Sequence, residues 1–171
     1  MRDTIFTSMR PSTHIRRLAR ADSALLEAHV RRLSPEDWID LFGAGAPAIN
    51  RYLAGIDLDR DIILAALGPD GSVRATARIR CDRGSSCAEI LLARERDRVG
   101  AQLWEGTICA AVEAAIVARI RWLDVSSLGC DAETRHALER AGFRLSASEG
   151  GTAGELFFGK AGGMERSRRR G

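Results

Sequence analysis

The residues best suited to chemistry lie in one stretch of this chain. Glu89 stands between Ala88 and Ile90 in the apolar run 87–93, Cys-Ala-Glu-Ile-Leu-Leu-Ala. A carboxylate on such a strand has a raised pKa when it is buried, which suits a general base. The alternative is a carboxylate satisfied by one of the chain's many arginines. Arg94, Arg96 and Arg98 follow, alternating with Glu95 and Asp97, and then come Gly100, Ala101 and Gln102. This run either brings positive charge and polar donors to a helix start or forms a solvated loop. His14, His29 and His136 are dispersed on strand or helix patterns and read as surface or packing residues. Cys81, Cys87, Cys109 and Cys130 are widely spaced, with no C-x-x-C pair and no zinc-spaced histidine. They read as reduced structural thiols, with no metal site expected. No G-x-S-x-G, P-loop or dinucleotide-binding fingerprint is present.

Elements that must position these residues follow from periodicity and punctuation. Residues 13–19 alternate loosely as a first strand, and Asp22 and Ser23 can cap a helix running to about Leu33. Ser34-Pro35-Glu36-Asp37 signals a second helix start, with Trp38, Ile39, Leu41 and Phe42 as its buried face. Gly43 to Pro47 breaks that helix, and a short one is expected at 47–54. Residues 61–67 and 72–80 pair as a hairpin about Gly68-Pro69-Asp70-Gly71. After a loop at 82–86, the strand at 87–93 puts Cys87, Glu89, Leu91 and Ala93 on one side and Ala88, Ile90 and Leu92 on the other. The longest helix is predicted at 99–118, where Trp104, Ile108, Val112 and Ile116 form an apolar stripe. A strand at 120–127, a helix at 131–141 stopped by Gly142, and strands at 143–148 and 154–160 complete the order. The pattern predicts an α/β domain with a mixed central sheet flanked by helices, spanning 13–160. Residues 1–12 read as a disordered lead-in and 161–171 as a disordered basic tail.

The stretch from Ala88 to Ala93, a basic loop, a long helix, Ile120 to Val125 and a short helix ending in Ala141-Gly142-Phe143 resembles the central half of the GNAT superfamily of acyl-CoA-dependent N-acyltransferases. Arg32-Leu33-Ser34-Pro35-Glu36, the run Gly55-Ile56-Asp57-Leu58-Asp59-Arg60-Asp61 and the hairpin before Ala88 resemble the GNAT domain of bacterial protein acetyltransferases. The resemblance implies that acetyl-CoA is the co-substrate and an amine the acceptor. It places Leu91, Leu92 and Ala93 on a splayed strand beside the pantetheine arm. It places Arg94, Arg96, Arg98, Gly100, Ala101 and Gln102 at the pyrophosphate. Glu89 stands where relatives carry a general base, usually acting through water, and a strand N–H near Leu91 would polarise the thioester carbonyl. Asp131 stands where the family often has an Asn near the CoA arm, and it reads equally as a helix N-cap.

The chain departs from the family's phosphate motif, Q/R-x-x-G-x-G/A. With Val99-Gly100 as the last x-G, the first glycine becomes Arg98 and the Q/R position Glu95. Without gaps, the glycine positions become Gln102 and Trp104. The family's thiolate-protonating Tyr aligns with Leu138, and Tyr52 is the chain's only tyrosine, so water would fill that role.

Charge narrows the partners. The chain of 171 residues carries a formal +3, yet residues 21–163 hold 17 basic and 21 acidic side chains, a net −4. The positive excess lies at the ends, which with few interleaved aromatics disfavours nucleic acid as partner. No apolar run reaches the roughly 20 residues of a membrane span, and no secretory signal is present. A cytoplasmic enzyme acetylating a small amine or a protein lysine is the first expectation, with homodimer pairing through the C-terminal strands left open. A GNAT-fold sensor or partner-binding module with weakened CoA binding is the second, supported by the broken glycine motif.

Overall fold

The hairpin that precedes Glu89 organises the sheet. In the computed structural model, which describes residues 14–42, 49–81, 85–127, 131–148 and 151–158, β2 (Ile62–Leu67) and β3 (Val73–Cys81) pair antiparallel. Gly71 closes their turn at φ +77°, donating its N–H to the Gly68 carbonyl at 2.9 Å. That left-handed conformation favours glycine. β1 (Ile15–Arg17) adds to the outer edge of β2, and β4 (Cys87–Arg94) pairs antiparallel with β3. The chain then crosses through α4 (Arg98–Val117) to β5 (Trp122–Ser127), which lies parallel to β4. After α5 (Ala132–Arg140), β6 (Arg144–Ser148) and β7 (Gly151–Phe157) form a hairpin, and β7 inserts next to β5. The mixed seven-stranded sheet has the order β1-β2-β3-β4-β5-β7-β6.

Helices cover both faces. On one, α4 and α5 bury Trp104, Ile108, Ala111 and Leu138 against Ile79, Ala88, Ile90 and Val125. Small residues let α4 lie close to the strands: a Cβ on Gly106 would meet Ile15 Cδ1 at 3.1 Å. On the opposite face, α1 (Ser23–Arg32) supplies Leu26 and Val30 to a cluster with Leu18, Ile63 and Val73. There α2 (Pro35–Phe42) brings Leu41 and Trp38 together with Leu33, Leu91 and Ala93. The alternation expected for residues 87–93 is therefore present, with Ala88 and Ile90 toward α4 and Leu91 and Ala93 toward α2. α3 (Ile49–Ala54) places Tyr52 beside Trp38, and Arg78 stacks over the Tyr52 ring.

Three expectations are revised. Asp22 precedes α1 but makes no side-chain cap there. Its carboxylate instead accepts from the Ala19 N–H at 2.9 Å and pairs with Arg16 at 2.8 Å, because the chain enters α1 through a 3-10 turn. The first strand is confined to Ile15–Arg17 for the same reason. β7 begins at Gly151, ahead of the predicted 154, because Thr152 and Ala153 already pair with both β5 and β6. Within it Gly154 serves packing, as a Cβ there would meet Leu145 Cδ2 at 2.6 Å and Val125 Cγ1 at 2.7 Å. The lead-in 1–12, the tail 161–171, Cys130 and the break at 43–47 lie outside the described residues.

Candidate active site

The parallel pairing of β4 and β5 begins at Cys87↔Trp122 and stops at Ile90↔Val125. Beyond that point β4 continues only with β3, from Leu91↔Arg78 to Arg94↔Ala75. β5 continues only with β7, through Ser126↔Ala153 and Ser127↔Thr152. The strands thus part immediately after Glu89 and Ile90. Leu91, Leu92, Ala93 and Arg94 have no β5 partner among the described residues. Backbone polar groups in such an opening need hydrogen bonds from water or from an extended ligand. The two amides of a pantetheine arm have the right chemistry to supply them.

Glu89 faces the α2 side of the sheet, in one cross-strand row with Arg80, Asp124, Glu155 and Arg144. Adjacent strands lie about 4.8 Å apart, so three carboxylates stand side by side with an arginine at each end. Arg80 pairs with one oxygen of Glu89, whose side chain is 29% exposed. Glu89 is therefore neither fully buried nor unpaired, and the arginine partner weighed from the sequence is present. Asp124 accepts from Trp122 Nε1 at 2.5 Å, and Trp122 packs on Phe157 with ring centroids 4.1 Å apart. No group of three or more described His, Cys, Asp or Glu residues is arranged to hold a metal ion.

Asp124 and Arg80 join the site without having been singled out in the sequence. The available signal for Asp124 was its place between Leu123 and Val125 on a predicted strand. Its neighbour across the sheet depends on a register that local sequence does not contain.

The loop from Arg94 to Asp97 is held by carboxylates. Arg94, 9% exposed, donates to Asp131 at 2.7 Å and to Glu133 at 2.8 Å, and its guanidinium lies over the Trp104 ring. Arg96 Nε pairs with Asp37 at 2.7 Å. Asp37 is itself part of a capping box: Ser34 Oγ accepts from the Asp37 N–H at 3.1 Å, while the Asp37 carboxylate accepts from Ser34 N at 3.1 Å. Glu95 accepts from Arg32 and Arg74, both at 3.0 Å, and from His29 Nδ1 at 3.3 Å. Burial of Glu95 opposes its charged form, but the His29 hydrogen bond and the Arg32 charge outweigh it and hold the carboxyl below its ordinary value. His29 is fully buried, and its Nε2 has no hydrogen-bond partner among the described residues.

The start of α4 is closed in the same way. Asp97 is its N-cap, and its carboxylate accepts from the Gly100 N–H at 2.6 Å while also pairing with Arg74 at 3.1 Å. A Cβ on Gly100 would fall 2.1 Å from the Glu95 carbonyl oxygen, so the backbone folds onto itself where a phosphate cradle was expected. Ala101 and Gln102 follow in the first turn, with Ala101 donating its N–H to the Asp97 carbonyl. Arg98, exposed at the first helical position, makes no ion pair among the described residues. Asp131 caps α5, accepting from the Thr134 N–H at 2.7 Å. Burial opposes its ionisation, and the Thr134 N–H with Arg94 overcomes this to lower its pKa. The opening between β4 and β5 fits a pantetheine arm, whereas the α4 start does not fit a diphosphate.

No protein-family profile matches the sequence, and no curated protein matches it significantly. Solved structures do match. The GNAT domain of S. lividans PAT superposes with TM-score 0.62 at 20% identity, covering 84% of this chain and 89% of that one. An acetyltransferase of the GNAT family from Streptococcus pneumoniae gives TM-score 0.63 at 20% identity, covering 84% and 98%. A GNAT superfamily phosphinothricin acetyltransferase from Sinorhizobium meliloti, solved in complex with acetyl-CoA, gives TM-score 0.61 at 14% identity, covering 91% and 94%. The chain has the GNAT fold.

Proposed function

We propose that this chain is an acyl-CoA-dependent N-acyltransferase that moves an acetyl group to a primary amine, on a small molecule or a protein lysine. The observation that carries this reading is the end of the β4–β5 ladder at Ile90↔Val125, which opens the sheet one residue beyond a carboxylate. A thioester seated in that opening meets backbone N–H groups near Leu91, which polarise its carbonyl. A cationic amine is drawn to the Glu89, Asp124 and Glu155 row. Glu89 accepts a proton from the ammonium through water, and the freed nitrogen attacks the carbonyl carbon. The C–N bond forms and the C–S bond breaks, and the second proton shed by the nitrogen passes through water to the departing thiolate.

Thiol release from acetyl-CoA in the presence of a panel of primary amines and lysine peptides tests the proposal. Amine-dependent release by the full chain is the expected result. Absence of release with every amine, together with no thermal stabilisation by millimolar acetyl-CoA, would overturn it. The closed start of α4 favours one competing reading, a GNAT-fold sensor or partner-binding module, which predicts that pair of results.

A further inference from the structure

The two halves of the expected donor site differ in kind. The β4–β5 opening leaves Leu91 to Arg94 without a strand partner on one side, ready to take an extended amide-bearing chain. The start of α4 is already filled by an anion of the protein itself. The Asp97 carboxylate takes the Gly100 N–H that would otherwise point at a ligand, and the Glu95 carbonyl occupies the space beside Gly100. Arg94 is spent on Asp131 and Glu133, and Arg96 on Asp37. A diphosphate placed here would meet Asp97 and Glu95, and of the three loop arginines, Arg94, Arg96 and Arg98, only Arg98 lacks an ion pair among the described residues. Like charges at this range repel, and a helix dipole serving one carboxylate has little left for a second anion.

From this contrast we infer that the chain recognises its acyl donor through the pantetheine arm and thioester alone, and does not read the nucleotide of coenzyme A. The inference rests on the acyltransferase reading and narrows its donor to a class, acyl thioesters of 4′-phosphopantetheine. That chemistry has two sources, free acyl-CoA and the prosthetic arm of an acyl carrier protein.

The test is direct binding to the full chain, with no acceptor amine present. The probes are acetyl-CoA, S-acetyl-4′-phosphopantetheine and 3′-phospho-ADP, measured by calorimetry. Acetyl-CoA and S-acetyl-4′-phosphopantetheine are expected to bind within about threefold of each other, because each charge-assisted phosphate contact would add about tenfold or more. The nucleotide is expected not to compete. Acetyl-CoA binding more than about tenfold tighter than the truncated thioester, or competition by 3′-phospho-ADP, overturns the inference and leaves the acyltransferase reading intact. Failure of both thioesters to bind overturns the two together. An acetylated carrier protein, compared with acetyl-CoA as donor once the truncated thioester has bound, identifies the source: the tighter of the two is the natural carrier of the arm.

Discussion

At the scale of single residues, the cross-strand row separates two roles that otherwise look alike. Glu89 and Asp124 are paired carboxylates on adjacent strands, equally near the β4–β5 opening, but Asp124 is held by Trp122 Nε1 while Glu89 leads into Leu91. Glu89→Gln is expected to lower kcat by about a hundredfold with little change in the acceptor KM. Asp124→Asn should do the reverse, raising KM for a cationic acceptor while kcat stays near its starting value. Steady-state kinetics with one amine distinguishes the two, and a kcat loss in both variants would mean that the row acts as a unit. Glu89 was legible in the sequence as a polar residue in an apolar run. Asp124 was not, because a helix of 20 residues separates β4 from β5 and the register across that crossover is set by packing. Arg80 was not, because its place opposite Glu89 depends on the β3–β4 register.

At the scale of elements, caps and turns were readable because their chemistry is local. Ser34-Pro35-Glu36-Asp37 opens α2 with a reciprocal cap, and Gly71 closes the hairpin turn. The β4–α4 loop was readable only in part. Its missing glycines are visible in the sequence, yet the partners that close it come from α1, α2, β3 and α5. Gly100 records that closure: Gly100→Ala would push a methyl group into the Glu95 carbonyl at 2.1 Å. Backbone is the obstacle, so relief requires the loop to move. A loss of about 1–3 kcal/mol is expected, read as a lower urea midpoint with an unchanged m-value. The helix itself tolerates Ala better than Gly, so any loss measures the crowding at the loop. β7 was misplaced for a related reason: Gly151 to Gly154 has the composition of a turn, but Thr152 and Ala153 pair with both β5 and β6, and Gly154 is required by Val125 and Leu145 on those strands.

At the scale of the whole molecule, two carboxylates with lowered pKa tie distant elements together. Glu95 joins the loop to α1 and β3, and Asp131 joins α5 to β4. As pH falls, the unfolded chain takes up protons first, near the ordinary carboxylate value of about 4. The folded state resists them, so these groups contribute fully above that value and their stabilisation is lost as pH drops through the folded pKa values. The thermal midpoint of the chain should therefore fall as pH is lowered from 5 to about 3. Glu95→Gln should start lower at neutral pH and lose less over that interval, so that the two curves converge in acid. One more linkage lies in Asp37, whose carboxylate both closes the cap of α2 and receives Arg96 from the β4–α4 loop. The same side chain cannot release one without loosening the other. In hydrogen exchange, the first-turn amides of α2 and those of the loop should open as one cooperative unit, with a shared protection that Arg96→Gln would split into two.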